Sequence, residues 1–437
     1  MNSPHLQSAS ARPSISSMNL SENQKMAPRQ HTTTMEKLSG DVLSNIFIRL
    51  FAKQLAQMRC VSKSWNALLS RSSFINSHLH RSTHNNNDKI LMLFRKACDF
   101  GSEPITTHPS PSPHVELTNF IKLPVNLNFE GASVIGSVNG LLCLNCRSYS
   151  GSGLHIWNPS LSAVLAIPPY SMSSHGYDQK ETLFRFGFDP KTDDYKIVKL
   201  EALLETERID LILVAFLGIS LISVKEWLQV EVYSMRKGSW KVTTQRFPSQ
   251  ITGISITDDV CVDGHDGHLH WLCCIDEIGK QQIIVAFNLD DESFSEISLP
   301  DFTLDSSSTL SYRHNVLGVL GGKLCVMSRG GGVLECEVWE MDEYGNGMAE
   351  SWVKHHAFSQ FSSDIFPYGF TLHNEFLFVA YNGRLALYDP IEAMVKIFKT
   401  IDRACCVVKV VNYVDSLVWV APSECDISSC NISRLPI

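Results

Sequence analysis

Residues Asn139–Pro168 read NGLLCLNCRSYSGSGLHIWNPSLSAVLAIP. A small-residue turn (Asn139-Gly140) opens an apolar run (Leu141–Leu144), and a second run ends on an aromatic (Ile156-Trp157). An Asn158-Pro159 turn follows, and a last run (Val164–Ile167) closes the unit. Short apolar runs punctuated by Asn, Gly and Pro are the signature of strands joined by tight turns. The same order returns at Gly267–Trp271, Ala286-Phe287-Asn288 and Phe294–Ile297, then at Gly322–Cys325, Val338-Trp339-Glu340 and Ser351-Trp352-Val353. It returns again at Asn374–Leu377, Leu387–Pro390 and Val395–Ile397. Gly267 and Gly322 stand 55 residues apart, and Gly322 and Asn374 stand 52 apart, close to the roughly 50-residue period of a four-strand propeller blade. A large all-β domain is more often a radial repeat than one sandwich, so a β-propeller is expected, with a β-sandwich as the competing reading. Trp157, Trp271, Trp339 and Trp352 recur within the runs of the repeat and read as core first and binding platform second.

Upstream the period changes. Val42, Ile46 and Leu50 recur at i, i+4 and i+8, with Leu43 and Phe47 on the same broad face. Ser39 suits an N-cap, and Leu38 and Leu43 suit a hydrophobic staple. A second short helix carries Leu55 and Met58, and a third carries Val61, Trp65, Leu68 and Leu69. Forty residues in three short helices make too small a core to stand comfortably alone, so the segment wants a partner surface. The expected layout is a polar, disordered tail over 1–34, a helical domain over 35–81, a linker over 82–88, the β domain over 89–424 and a tail over 425–437.

The formal net charge of −8 is unevenly placed: residues 38–81 hold six basic side chains and one acidic, while residues 82–437 hold 27 and 42. An acidic bulk domain argues against binding nucleic acid through phosphate neutralisation. The basic helical segment suits an acidic protein partner. Leu211–Val224 is a run of 14 uncharged residues, shorter than the roughly 20 that a membrane-spanning helix needs. Residues 1–20 lack the apolar core of a secretory signal, so the thirteen cysteines are expected to stay reduced in the cytosol or nucleus.

Candidate chemistry is sparse. Cys143 and Cys146 form a C-x-x-C without a second pair, and residues three apart on a strand point to opposite faces. His265, His268 and His270 with Asp263 and Asp266 resemble a ligand set but read as turn residues at the start of a strand. Gly330-Gly331-Gly332 reads as a hairpin turn, and no nucleophile elbow, P-loop or H-E-x-x-H occurs. No catalytic residue, metal or cofactor is expected.

Residues 38–81, LSGDVLSNIFIRLFAKQLAQMRCVSKSWNALLSRSSFINSHLHR, resemble an F-box of the plant type, most specifically in Arg59-Cys60-Val61-Ser62-Lys63-Ser64-Trp65. The remainder resembles the kelch-like F-box-associated domain of plant F-box proteins. Phe186–Val198 (FGFDPKTDDYKIV), Val230–Lys241 and Tyr413–Val418 carry that likeness. The resemblance implies a small all-α F-box followed by a large all-β, kelch-like propeller. It implies docking on a Skp-type adaptor, and through it on a cullin and RING subunit, by Leu38, Leu43, Ile46, Leu50, Leu55, Val61 and Trp65. The propeller would then hold an unidentified protein substrate for ubiquitination, with Tyr170–Glu181, Leu203–Arg208 and Asp301–Ser311 as candidate substrate loops. Two positions depart from the family pattern. Ser39 and Phe51 stand where prolines are usual; Ser39 can still cap a helix, whereas Phe51 cannot preset the turn between helices. Two rivals remain: a kelch-type enzyme such as a copper oxidase, with metal at 263–270, and an F-box scaffold acting outside a ligase.

Overall fold

The computed structural model describes residues 38–434 apart from 86–88, 96–104, most of 110–132, 149–150, 172–178, 206–220, 256–265, 276–280, 301–312, 331–334, 343–350, 360–364, 381–383, 399–406 and 422–431. Everything below concerns the described residues; the expected N-terminal tail lies outside them. Two compact units are distinguished, 1–43 and 44–437. In the first, the Val42 N–H donates to Ser39 Oγ at 3.4 Å, so Ser39 does cap the first helix.

Four helices, α1 (Gly40–Phe47), α2 (Ala52–Met58), α3 (Lys63–Leu69) and α4 (Ser72–His84), stand where the sequence suggested three. Val61 belongs to the turn ahead of α3, its N–H donating to Met58 O at 3.0 Å. The additional helix, α4, runs into the stretch read as linker because its buried face is Phe74, His78 and Ser82. That face keeps helical spacing but is largely polar, so an apolar periodicity does not reveal it.

The strands, numbered along the chain, begin with β1 (Lys89–Arg95) and β2 (Ile105–Pro109). Next come β3 (Ser133–Val138), β4 (Leu141–Ser148), β5 (Gly151–Asn158) and β6 (Ala163–Ala166), followed by β7 (Lys180–Asp189), β8 (Asp194–Leu204), β9 (Leu221–Ser234) and β10 (Ser239–Val242). Then come β11 (Gly253–Ser255), β12 (His268–Cys274), β13 (Gln282–Asn288) and β14 (Phe294–Ser298). They are succeeded by β15 (Arg313–Leu320), β16 (Lys323–Gly330), β17 (Cys336–Met341) and β18 (Trp352–Phe358). Last are β19 (Ile365–Phe370), β20 (Phe376–Ala380), β21 (Leu385–Asp389), β22 (Met394–Ile397), β23 (Val407–Val414) and β24 (Ile432–Arg434). Each group of four pairs antiparallel in order. The long β9 joins two groups, pairing with β8 along its C-terminal part and with β11 through Leu221–Ser223.

The five hydrogen-bonded sheets are therefore six blades, since the eight-stranded sheet is two blades joined through β9. The first blade takes strands from both ends of the domain: β23 pairs with β1, which pairs with β2, with Leu91 opposite Asn412. Residues 425–437, expected as a tail, contribute β24, which adds to the outer edge of β6.

Apolar layers lie between successive blades. Tyr413 and Met92 meet Leu142 and Trp157; Leu141 and Ile156 meet Phe186 and Ile197; Leu200 and Val232 meet Leu269 and Val285. Ile284 meets Val326, Met327 and Val338 meet Phe376 and Phe378, and Leu377 and Leu387 meet Leu91 and Val410. The last layer returns to the first blade, which makes the ring a closed propeller. Cys143 and Cys146 fall into different layers, as strand alternation requires, and burial pushes the Cys146 thiol up to about 11.

The repeat seen in the sequence has a backbone cause. Asn139 (φ 53°), Asp266 (46°), Gly322 (88°) and Asn374 (62°) all adopt the left-handed region just before the second strand of a blade. Few residue types tolerate that conformation, so the turn leaves a mark in the sequence. Gly140 (φ 78°) has a further constraint: a Cβ there would stand 2.3 Å from Ser416 Cβ and 2.5 Å from Val414 O. Strand alternation sends these turns, and those between third and fourth strands, to one end of the propeller. The strand ends that bound 172–178, 206–220 and 301–312 lie at the other end.

Candidate functional site

The helical segment has its own small core. The rings of Phe47 and Trp65 meet edge to face with centroids 5.0 Å apart, and Leu55, Leu69 and Phe74 are buried with them. Arg59, whose basicity burial lowers, donates from Nη2 to Leu69 O at 2.7 Å. His78 Nε2 lies 3.0 Å from Leu50 O, tying α4 to the turn that leads into α2. The Trp65 indole N–H is buried and has no acceptor among the described residues.

The seven residues singled out in the sequence divide into three groups. Leu43, Leu55 and Trp65 point inward, with Trp65 only 9% exposed, so they shape the surface from below and do not form it. Leu38 and Leu50 are half-buried. Ile46 (36%) and Val61 (70%) face solvent. Val42 and Phe51 (49%) are also exposed and were not among the seven. Val42 carried a usable signal, since it shares the i, i+4 register with Ile46. In the sequence Phe51 stands out only as a missing proline. It nonetheless adopts φ −66°, the value proline would impose, and its N–H donates to Gln54 Oε1 at 3.2 Å. Large apolar side chains exposed on helices that already possess a core mark a contact surface.

That surface is fastened to the propeller. The Ala52 N–H, at the first position of α2, donates to Asp415 Oδ2 at 2.5 Å, and both residues are buried. Asp415 follows β23 at the tight-turn end. The helices α2–α4 are thus held at the end opposite the strand ends that bound 172–178, 206–220 and 301–312. The candidate loop Asp301–Ser311, with most of Tyr170–Glu181 and part of Leu203–Arg208, lies outside the described residues.

Among the described residues no three His, Cys, Asp or Glu side chains assemble at metal-binding spacing. His268 Nδ1 lies 2.9 Å from Asp266 O, and His270 is buried; Asp263 and His265 lie outside the described residues. Among the described residues no helix is long and apolar enough to cross a membrane.

Comparison with known proteins agrees with this architecture. Residues 35–77 match the F-box domain family, and residues 89–382 match the F-box associated beta propeller domain family. Among curated relatives, Arabidopsis thaliana F-box protein CPR1 is 28% identical over 337 residues, covering 73% of this chain and 72% of that one. F-box protein At4g22390 from the same plant is 26% identical over 338 residues, 73% of each chain. Its F-box/kelch-repeat protein At3g23880 is 24% identical over 327 residues, 72% of this chain and 77% of that one. Four short helices, a closed β ring and these matches together place the chain in the plant family whose members join an F-box to an F-box-associated β-propeller.

Proposed function

We propose that this chain is the substrate-recognition subunit of a Skp–cullin–F-box ubiquitin ligase, acting in the cytosol or nucleus. The F-box binds a Skp-type adaptor, which brings cullin and RING subunit, and the propeller holds a protein substrate. The observation that carries the reading is the outward apolar set Ile46, Phe51 and Val61 on helices whose own core, Phe47, Leu55, Trp65, Leu69 and Phe74, is already filled. Apolar anchors on a basic helical segment fit a groove in an acidic partner. The chain needs no catalytic group for this role. It raises the effective concentration of substrate lysines beside a charged ubiquitin by holding both ends of the assembly.

The test is co-purification of the full chain with a Skp-type adaptor and cullin. Ile46→Asp and Val61→Asp place charges on exposed positions and should leave the fold intact while abolishing adaptor capture. Recovery of adaptor by both variants at the parental level would overturn the assignment. Capture of adaptor without cullin would favour a scaffold role outside the ligase.

A further inference from the structure

Helix α2 has an N-terminus that its own sequence does not complete. Its N-cap residue, Phe51, is extended (φ −66°, ψ 147°) and carries no side-chain acceptor. The orphan N–H of Ala52 is instead met by Asp415, 363 positions away in the chain. The placement of that carboxylate is strongly determined. Its Oδ1 accepts from Ser160 Oγ at 2.5 Å, and Ser160 Oγ lies 2.5 Å from the Tyr413 hydroxyl. The backbone beyond it is pinned by Asn158 Nδ2, which donates to Ser416 O at 3.1 Å and Val418 O at 2.8 Å. Tyr413 belongs to β23, the strand that closes the ring against β1. A carboxylate at a helix N-terminus meets both the free N–H groups and the positive end of the helix dipole.

We propose that Asp415 is a positioning residue that supplies α2 with its N-cap from the closed propeller. Helix α2 is then fully formed only when β23 is in place, and the Phe51 edge is held at a fixed orientation to the ring. A chain whose propeller has not closed carries an incomplete F-box.

The test is residue-resolved hydrogen exchange on the full chain, with no adaptor present, so its outcome is independent of the ligase assignment. Asp415→Ala should speed exchange at the amides of Ala52 and Leu55 by about tenfold or more, the size of a lost helix cap. The amides of Leu91, Leu93, Val410 and Val411 in the closing sheet should change by less than about twofold, since they lie outside the cap. Asp415→Asn, which keeps an acceptor but loses the charge, should fall between parent and alanine variant. Adding Phe51→Ser to Asp415→Ala gives α2 a local cap and should restore slow exchange at Leu55. Unchanged exchange at Ala52 and Leu55 in Asp415→Ala would overturn the proposal. So would an equal rise across β1 and β23, or failure of Phe51→Ser to restore protection.

Discussion

Gly318 of β15 lies directly beneath the ring of Phe370 of β19, so that a Cβ added to Gly318 would stand 1.8 Å from Phe370 Cδ2 and 2.3 Å from Cε2. The ring fills the layer between two blades together with Leu320, Met327 and Phe376. The absent side chain and the large one are therefore complementary. Gly318→Ala should destabilise the chain by roughly 1–3 kcal/mol through overpacking, and Phe370→Ala by about 3–5 kcal/mol through the cavity left behind. The double variant Gly318→Ala/Phe370→Ala should cost less than the two single changes added together. Urea unfolding measures all three, and strict additivity would refute the contact.

Lys199 is buried in the third blade among two buried carboxylates, 2.7 Å from Glu231 Oε1 and 3.5 Å from Glu201 Oε2. Its ammonium also donates to Ser171 O at 2.6 Å and stands 4.8 Å from the centre of the Tyr170 ring. Lys199→Met would leave Glu201 and Glu231 facing each other without a counter-ion, with an expected loss of about 3–5 kcal/mol. Adding Glu201→Gln and Glu231→Gln should recover much of that loss, because the uncompensated charge is what costs. A Lys199→Met variant with the parental urea midpoint would show that the cluster does not bear on stability.

The same cluster shows where the sequence was hard to read. Four blades announced themselves through left-handed turns at Asn139, Asp266, Gly322 and Asn374, because that backbone conformation admits few residue types. The third blade has the same left-handed turn at Asp193 (φ 52°), yet its strands were harder to read. Lys196, Lys199, Glu201 and Glu231 interrupt its apolar alternation and look like solvent-facing residues, yet all four are buried in ion pairs, Lys196 with Asp189 and Lys199 with Glu201 and Glu231. The first blade was hidden for another reason, since no local pattern can pair Leu91 with Asn412 across the length of the domain. In the helical segment, apolar spacing identified the residues but not their direction. Trp65 turns inward onto Phe47 while Phe51 turns outward, a choice made by packing among helices.

His314 of β15 is half-buried and lies 3.1 Å from Pro367 O, to which its Nε2–H donates in the neutral ring. Burial pushes its pKa down from 6.5 to about 4; the Pro367 carbonyl works against this and the Arg329 charge adds to it. The unfolded chain therefore binds a proton that the folded chain refuses between these two values. Stability should be full above about pH 6.5 and fall as pH drops towards 4, by roughly 3 kcal/mol for this residue at most. His155, His268 and His356 are lowered by burial too and add losses of the same sign. His314→Gln keeps a donor for Pro367 but cannot titrate, so its unfolding free energy should decline less steeply than the parent's between pH 6.5 and 4.5. Parallel curves for the two proteins would refute the assignment.

An Asp-Pro pair followed by Lys at the seventh position occurs in two blades, and the two copies differ in burial. Asp189 Oδ1 accepts from the N–H groups of Lys191 (3.0 Å) and Thr192 (3.4 Å), while Oδ2 meets the Thr192 hydroxyl (2.5 Å) and Lys196 Nζ (2.9 Å). Lys196 also donates to Leu289 O at 2.5 Å, fastening this turn to the next blade. Asp389 repeats the turn cap on Ile391 and Glu392, with Lys396 at 3.1 Å, but Lys396 keeps a share of solvent. Burial alone would raise the pKa of either aspartate, and in both the hydrogen bonds and the lysine outweigh it and hold the carboxyl below its usual range. Removing one partner of a buried pair strands a charge, whereas the half-exposed pair can fall back on water. Lys196→Met should therefore cost about 3–5 kcal/mol and Lys396→Met about 1 kcal/mol or less. Thermal and urea unfolding of the two single variants gives the comparison, and equal losses would show that burial does not distinguish the two turns.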